Sequence, residues 1–376
     1  MEGKTIKHIN LDKILFNFND ILKYSNKDYY SKITNILKKR YNKKKIEFTR
    51  NARTAIYKSL HLLNLKKSDE IIIPSYTSKP VYSAVNKICK PVFVDINKFD
   101  ANMDTYKISK KISDKTKGII VTNNYGKSDD MFNIYDIAKK RDLFIIEDLA
   151  QSPWGKCDGR NLGTFGEYAI LSFSPFKDIS CFAGGAILGG NNLNDFKKPV
   201  KYINSYKCLN HFFISRLFDL FKIGKISSRI IYKLNEIRVD LERNRDSFKI
   251  EVFNYINNFM AYLLFIQFKK FDNTINNRRK NAEFYLQNLK SSIQAQVGEQ
   301  IKNHNFYRFT IQVRNRDKLY DKAIAYKIAL GKSYNYYLSP LPNSVKASKM
   351  NVNLPIHSGL KSDEIEKIVR FINKTV

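Results

Sequence analysis

The sequence predicts an α/β protein built on a mainly parallel sheet with helices on both faces. Three observations predict it. Short apolar runs alternate with helix-patterned stretches through the first half of the chain. The runs are apolar throughout instead of alternating with polar residues, as strands buried on both faces are. And one stretch, Leu143 to Gly190, holds three such runs, two of which end in residue types that carry chemistry.

Residues 1–45 are polar and rich in Lys and Asn, and predict a helical arm ahead of a first strand, Ile46 to Thr49. In NARTAIYKSLHLL the apolar Ala52, Ile56, Leu60 and Leu63 fall at helical spacing, with Asn51 as the N-cap. Strands at Glu70–Ile73, Pro91–Asp95, Gly118–Val121 and Leu143–Ile146 then alternate with helices from about Lys79, near Tyr106 and from Met131. Tyr168–Phe173 and Ala186–Leu188 add two more strands.

Residues 196–247 break this rhythm. Phe213, Leu217, Leu220 and Phe221 keep helical spacing, with Arg216, Lys222, Lys225 and Arg229 among them. This reads as a helical insertion packed on its own protein, and contact with a membrane surface is the less favoured alternative. From Phe253 a long helix follows, then a β-like segment (Asn305 to Val313), a helix near Leu319 and a last helix from Asp363. The expected division is a large domain over 1–250, carrying the arm and the insertion, and a smaller α/β domain over 251–376.

Composition narrows the function. Hydrophobic content of 43% and aromatic content of 13% are globular values. No apolar run reaches a membrane span and MEGKTIKHIN has no signal-peptide core, so a cytoplasmic protein is expected. Cys89, Cys157, Cys181 and Cys208 follow neither a metal nor a disulfide spacing. The net charge of +31 comes from dispersed lysines, abundant together with Asn, Ile and Tyr. It reads as compositional bias rather than a nucleic-acid-binding arm, although a basic surface also suits anionic substrates.

In open α/β sheets ligands collect at the carboxyl ends of strands. Asp148 closes one apolar run, Ser172 and Lys177 lie at the end of the next, and all three point to one crevice. Asn51-Ala52-Arg53 opens a helix, where unpaired amides and the helix dipole favour an anion. No G-x-G-x-x-G follows the first strand, which argues against a dinucleotide fold.

The motif E-D-x-A-Q ending at Gln151, S-F-x-x-x-K from Ser172 to Lys177, Gly184-Gly185 before a short strand, and LPIHSGL at 354–360 resemble the DegT/StrS-type sugar aminotransferases. These are fold-type I pyridoxal phosphate (PLP) enzymes. The resemblance implies a seven-stranded, mainly parallel sheet between helices and a smaller C-terminal α/β domain. It implies that Lys177 holds PLP covalently and, once released, moves the proton. Asp148 would pair with the pyridine nitrogen, Gln151 would lie against the O3′ side, and Ala52, Arg53 and Ser172 would hold the phosphate. It also implies a homodimer, with Asn254 from the partner chain completing the phosphate cup.

Three departures stand out. Asn51-Ala52-Arg53 replaces the family's S-G-T, and Thr122-Asn123-Asn124-Tyr125-Gly126 replaces V-H-x-Y-G. In IPSYTSKPV, Ser78 stands where an aromatic normally stacks on the ring, leaving Tyr76 or Tyr82 to substitute. The reaction implied is amino transfer from glutamate or glutamine to a keto-sugar on a nucleoside diphosphate, in surface-polysaccharide or glycan biosynthesis. A small phosphorylated ketone suits a basic site equally. Lys177 argues against the dehydratases among the relatives, which carry histidine there. Outside enzymes, the alternative is a non-catalytic homologue acting through its basic surface.

Overall fold

The computed structural model of the protein describes residues 6, 20, 22–25, 27–174, 177–181, 183–190, 193, 256–297 and 301–376. The expected insertion at 196–247 and Asn254 lie outside the described residues. In chain order, α1 (Tyr29–Tyr41) leads into β1 (Lys45–Thr49), α2 (Ala52–Leu62), β2 (Glu70–Pro74), α3 (Lys79–Ile88) and β3 (Lys90–Val94). A short α4 (Thr105–Ile108) precedes β4 (Thr116–Thr122), α5 (Met131–Lys140) and β5 (Phe144–Asp148). A small hairpin, β6 (Lys156–Cys157) with β7 (Arg160–Asn161), precedes β8 (Tyr168–Ser172) and β9 (Gly185–Gly189).

Seven of these strands form one sheet in the order β1-β9-β8-β5-β4-β2-β3. Neighbours from β3 to β8 pair in parallel, and only β9 runs against both of its neighbours. The apolar runs explain this. Ile71 and Ile73 pack under α2 and α3 with Ile56, Leu60, Val81 and Val85, whereas Ile72 turns to the other face. There it belongs to the same core as Ile33 and Leu37 of α1 and Ile134 of α5. Ile119, Ile120 and Val121, like Ile145 and Ile146, divide between the two faces in the same period of two.

α6 (Asn258–Asn288) follows, with Asn257 Oδ1 capping it through the Met260 amide at 2.9 Å. Met260, Leu264, Phe268 and Ile275 sit in the large core, and Ala282 and Tyr285 in a second one. One helix thus serves both bodies. The second core also takes residues from β10 (Phe309–Gln312), α7 (Arg316–Ala325), β12 (Asn351–Leu354) and α9 (Ser362–Thr375), and β11 (Gly331–Lys332) and α8 (Pro342–Met350) complete this body. Its three strands run antiparallel in the order β10-β12-β11.

Some elements differ from expectation. The helix near Tyr106 spans four residues only. The β6–β7 hairpin and β11 have two residues per strand, too short for any periodic signal.

The two bodies meet beside the sheet's carboxyl edge. Asp95, at the end of β3, accepts from Ser344 N at 3.0 Å, Ser344 Oγ at 2.8 Å and Asn343 N at 3.1 Å. α8 has no side-chain cap of its own, so a carboxylate from the large domain supplies it.

Candidate active site

β4, β5 and β8 are parallel, so Thr122, Asp148 and Ser172 come to one edge of the sheet. Asp148, Gln151 and Lys177 line a single cleft there, with Thr77, Ser78, Thr122, Asn123, Ala150 and Tyr334. Asp148 Oδ1 accepts from the Ala150 amide at 3.0 Å, and the side chain is buried. Burial pushes its carboxyl above the usual carboxylate range, against the pull of the Ala150 amide and the Lys177 charge. A buried carboxylate of this kind gains from a cation held against it.

Lys177 lies in the loop between β8 and β9. Its backbone amide donates to Ser174 O at 3.2 Å, and its Nζ lies 5.6 Å from the centre of the Tyr307 ring. α6 holds the rest of this loop from behind. Gln267 Oε1 accepts from Ser180 N at 3.0 Å while its Nε2 donates to Ser180 O at 2.7 Å. Arg278 pairs with Asp178 at 2.7 Å, and both side chains are buried.

Gln151 is fixed by three bonds. Its Oε1 accepts from Tyr125 N at 3.0 Å, and its Nε2 donates to Asn124 Oδ1 at 3.3 Å and to the Tyr334 hydroxyl at 2.8 Å. Glu147, next to Asp148, turns the other way. Its carboxylate accepts from the amides of Gly163, Phe165 and Gly166 and so organises the loop before β8.

The start of α2 lies on the same edge. Asn51 Oδ1 takes the Thr54 amide at 2.9 Å, ahead of which come the amides of Ala52 and Arg53. Gly184 N donates to Arg50 O at 3.1 Å, and Ser172 pairs with Gly185. A Cβ on Gly185 would lie 2.7 Å from Ala52 N, so only glycine lets β9 approach the helix start this closely. A helix N-terminus, a serine hydroxyl and a glycine-lined approach make an anion cradle.

The structure thus brings Lys177, Asp148 and Gln151 to one cleft, with Ser172, Ala52 and Arg53 on the same edge. Tyr76 is placed elsewhere. It is fully buried between the domains, with its hydroxyl 3.0 Å from the Tyr125 hydroxyl and donating to Tyr334 O at 3.1 Å. Tyr82 stacks on Phe93 at 6.1 Å behind the sheet. Sequence reasoning passed over Tyr334 and Tyr307. The only signal for Tyr334 is the tyrosine-rich run SYNYYLSP, whose partners are remote in sequence.

These residues fit a PLP group: a cradle for phosphate, an acid for the ring nitrogen and a lysine within one site. Among the described residues there is no cluster of acidic, His or Cys side chains able to hold a metal, and no helix long and apolar enough to cross a membrane.

Comparison with known proteins shows what the chain is similar to. The profile of the DegT/DnrJ/EryC1/StrS aminotransferase family matches residues 31–202 and 239–373. A pleiotropic regulatory protein of Geobacillus stearothermophilus is 26% identical over 85% of this chain and 83% of its own length. GDP-perosamine synthase of Escherichia coli O157:H7 is 25% identical over 86% of this chain and 84% of its own. Among solved structures, S. venezuelae DesV shares the fold with a TM-score of 0.76, at 20% identity, over 99% of this chain and 98% of its own.

Proposed function

Because the chain belongs to the DegT/DnrJ/EryC1/StrS aminotransferase family and is a PLP-dependent aminotransferase, we propose that its acceptor is a keto-sugar carried on a nucleoside diphosphate. Glutamate or glutamine is the amino donor in this reading. The observation that supports it most is the meeting of Asp148 and Lys177 in one cleft, beside the anion cradle at the start of α2. The name of the E. coli relative, GDP-perosamine synthase, points to the same substrate class. A chain of net charge +31 favours such anionic substrates over neutral sugars.

Each residue has a task. Bound PLP supplies an electron sink for carbanion character at the substrate carbon. Lys177 holds the cofactor covalently, and as a free amine carries the proton to and from that carbon. Asp148 keeps the ring nitrogen protonated, which offsets the cost of its own buried charge. Ala52 and Arg53 amides and the Ser172 hydroxyl bind phosphate, and Gln151 lies against the oxygen side of the ring. We place the protein in the cytoplasm as a homodimer in which the partner's Asn254 completes the cup. The buried thiols of Cys89 and Cys157 suit a reducing compartment.

The test is optical and chemical. The wild-type protein turns yellow with PLP, loses the colour with L-glutamate and regains it with a keto-sugar nucleotide. Borohydride reduction followed by peptide mass spectrometry finds the label on residue 177, and Lys177→Ala takes none. Recovery of colour with a small phosphorylated ketone, but with no sugar nucleotide, overturns the substrate assignment. A protein that stays colourless and unlabelled overturns the enzymatic reading and favours a non-catalytic homologue.

A further inference from the structure

The loop where the family's aromatic is missing packs directly against a tyrosine-rich segment of the small domain. Leu338 N donates to Ser75 O at 2.8 Å, Tyr76 Oη donates to Tyr334 O at 3.1 Å, and Lys79 N donates to the Tyr336 hydroxyl at 3.2 Å. Residues 75–79 and 334–338 therefore lie side by side. Ser78 brings no ring to the cleft. Tyr334 does, and it is the one aromatic among the described residues that line it.

The ring is held in place. Tyr76 meets it edge-on at 5.4 Å and 73°, and Tyr336 leans on it at 5.4 Å and 42°. Its hydroxyl accepts from Gln151 Nε2 at 2.8 Å, which ties it to the side chain beside Ala150 on the opposite wall. Burial, with the nearby Asp148 carboxylate among other groups, holds the phenol well above its ordinary pKa, so the ring stays neutral and electron-rich at physiological pH.

We propose that Tyr334 supplies, from the small domain, the aromatic surface for the cofactor ring that Ser78 cannot supply from the large one. A protonated pyridine is flat and electron-poor, and it gains by lying against a tyrosine face. The assignment rests on the PLP reading above. It makes cofactor retention depend on the docking of the small domain, which a ring at position 78 would not require.

The experiment measures the equilibrium affinity of the full-length protein for PLP by visible absorbance, together with the visible circular dichroism of the bound cofactor. Tyr334→Ala is expected to weaken PLP binding about tenfold and to change the dichroic band. Tyr334→Phe stays within about threefold of wild type, since the ring persists. Adding Ser78→Phe to Tyr334→Ala restores most of the affinity, which also guards against a variant that is merely damaged. The assignment is overturned if Tyr334→Ala binds PLP like wild type and loses only acceptor-sugar affinity. It is overturned as well if Tyr334→Phe is as weak as Tyr334→Ala, or if the added ring restores nothing. A wild-type protein that never binds PLP fails the earlier reading first, before any variant is made.

Discussion

The two walls of the cleft are built by different means. The large-domain wall presents side chains from strand ends and the loop after β8: Thr122, Asp148 and Lys177. The small-domain wall presents Tyr334, and this side is held by contacts between loops. Arg308 N donates to Tyr125 O at 3.0 Å, and Asn305 N donates to Gly126 O at 2.7 Å. Gly126 has φ +90°, and a Cβ there would lie 2.7 Å from Tyr307 N, so this docking needs a glycine. Charged side chains come from the first wall, whereas an aromatic surface comes from the second. The first stands on the sheet and the loop after β8. The second is only as well placed as the contacts that dock it.

The largest expected effect separates the lysine loop from its support. Arg278→Met leaves Asp178 buried and unpaired beside Lys177 and should cost about 3–5 kcal/mol in urea unfolding. Arg278→Met with Asp178→Leu should recover most of that stability, because both charges are then gone. If the single variant unfolds like wild type, α6 is not what holds the loop after β8, and the contrast between the walls weakens.

A smaller effect belongs to the docking side. Asp95→Ala removes the acceptor for Ser344 N, Ser344 Oγ and Asn343 N at the start of α8. A lost helix cap costs about 1–2 kcal/mol. The loss should appear in urea unfolding together with faster amide exchange in α8, and exchange in β5 should not change. Uniform loss of protection across both domains would show that they unfold as one unit, with no separable docking contact.

This contrast explains what the sequence could show. Apolar runs such as Ile71-Ile72-Ile73 report burial on both faces, and polar ends report where a parallel sheet delivers its ligands. So the sheet was legible, and with it the arrival of Asp148, Ser172 and Lys177 at one edge. Tyr334 was not, because its role follows from hydrogen bonds to Tyr76 and Gln151, residues far away in sequence. Tyr76 looked suitable by composition, but its phenol instead bridges Tyr125 and Tyr334 between the domains. Residue type suggests chemistry, and only packing decides which tyrosine faces the cleft. The domain boundary was hard to read for a similar reason, since α6 carries apolar residues for both cores without a break.

An effect of another kind, a pH dependence, belongs to the loop that joins the walls. Asp129 is fully buried near the Lys127–His304 bridge, with Oδ2 accepting from Met103 N at 3.0 Å and Oδ1 from Asp130 N at 2.8 Å. Burial, with Asp100 nearby, pushes its carboxyl up to about 8 from an ordinary 3.8. Between those values the folded chain keeps a proton that the unfolded chain has lost. The stability this group contributes is therefore complete below about pH 4, falls as pH rises and is gone above about pH 8. The expected slope is on the order of 1 kcal/mol per pH unit across that window. Asp129→Asn cannot ionise, so its urea midpoint should lose less between pH 6 and pH 8 than that of wild type, and should exceed it at the alkaline end. Two parallel midpoint curves would mean that Asp129 ionises at its ordinary pH, and that the neighbouring amides stabilise its charge more than burial opposes it.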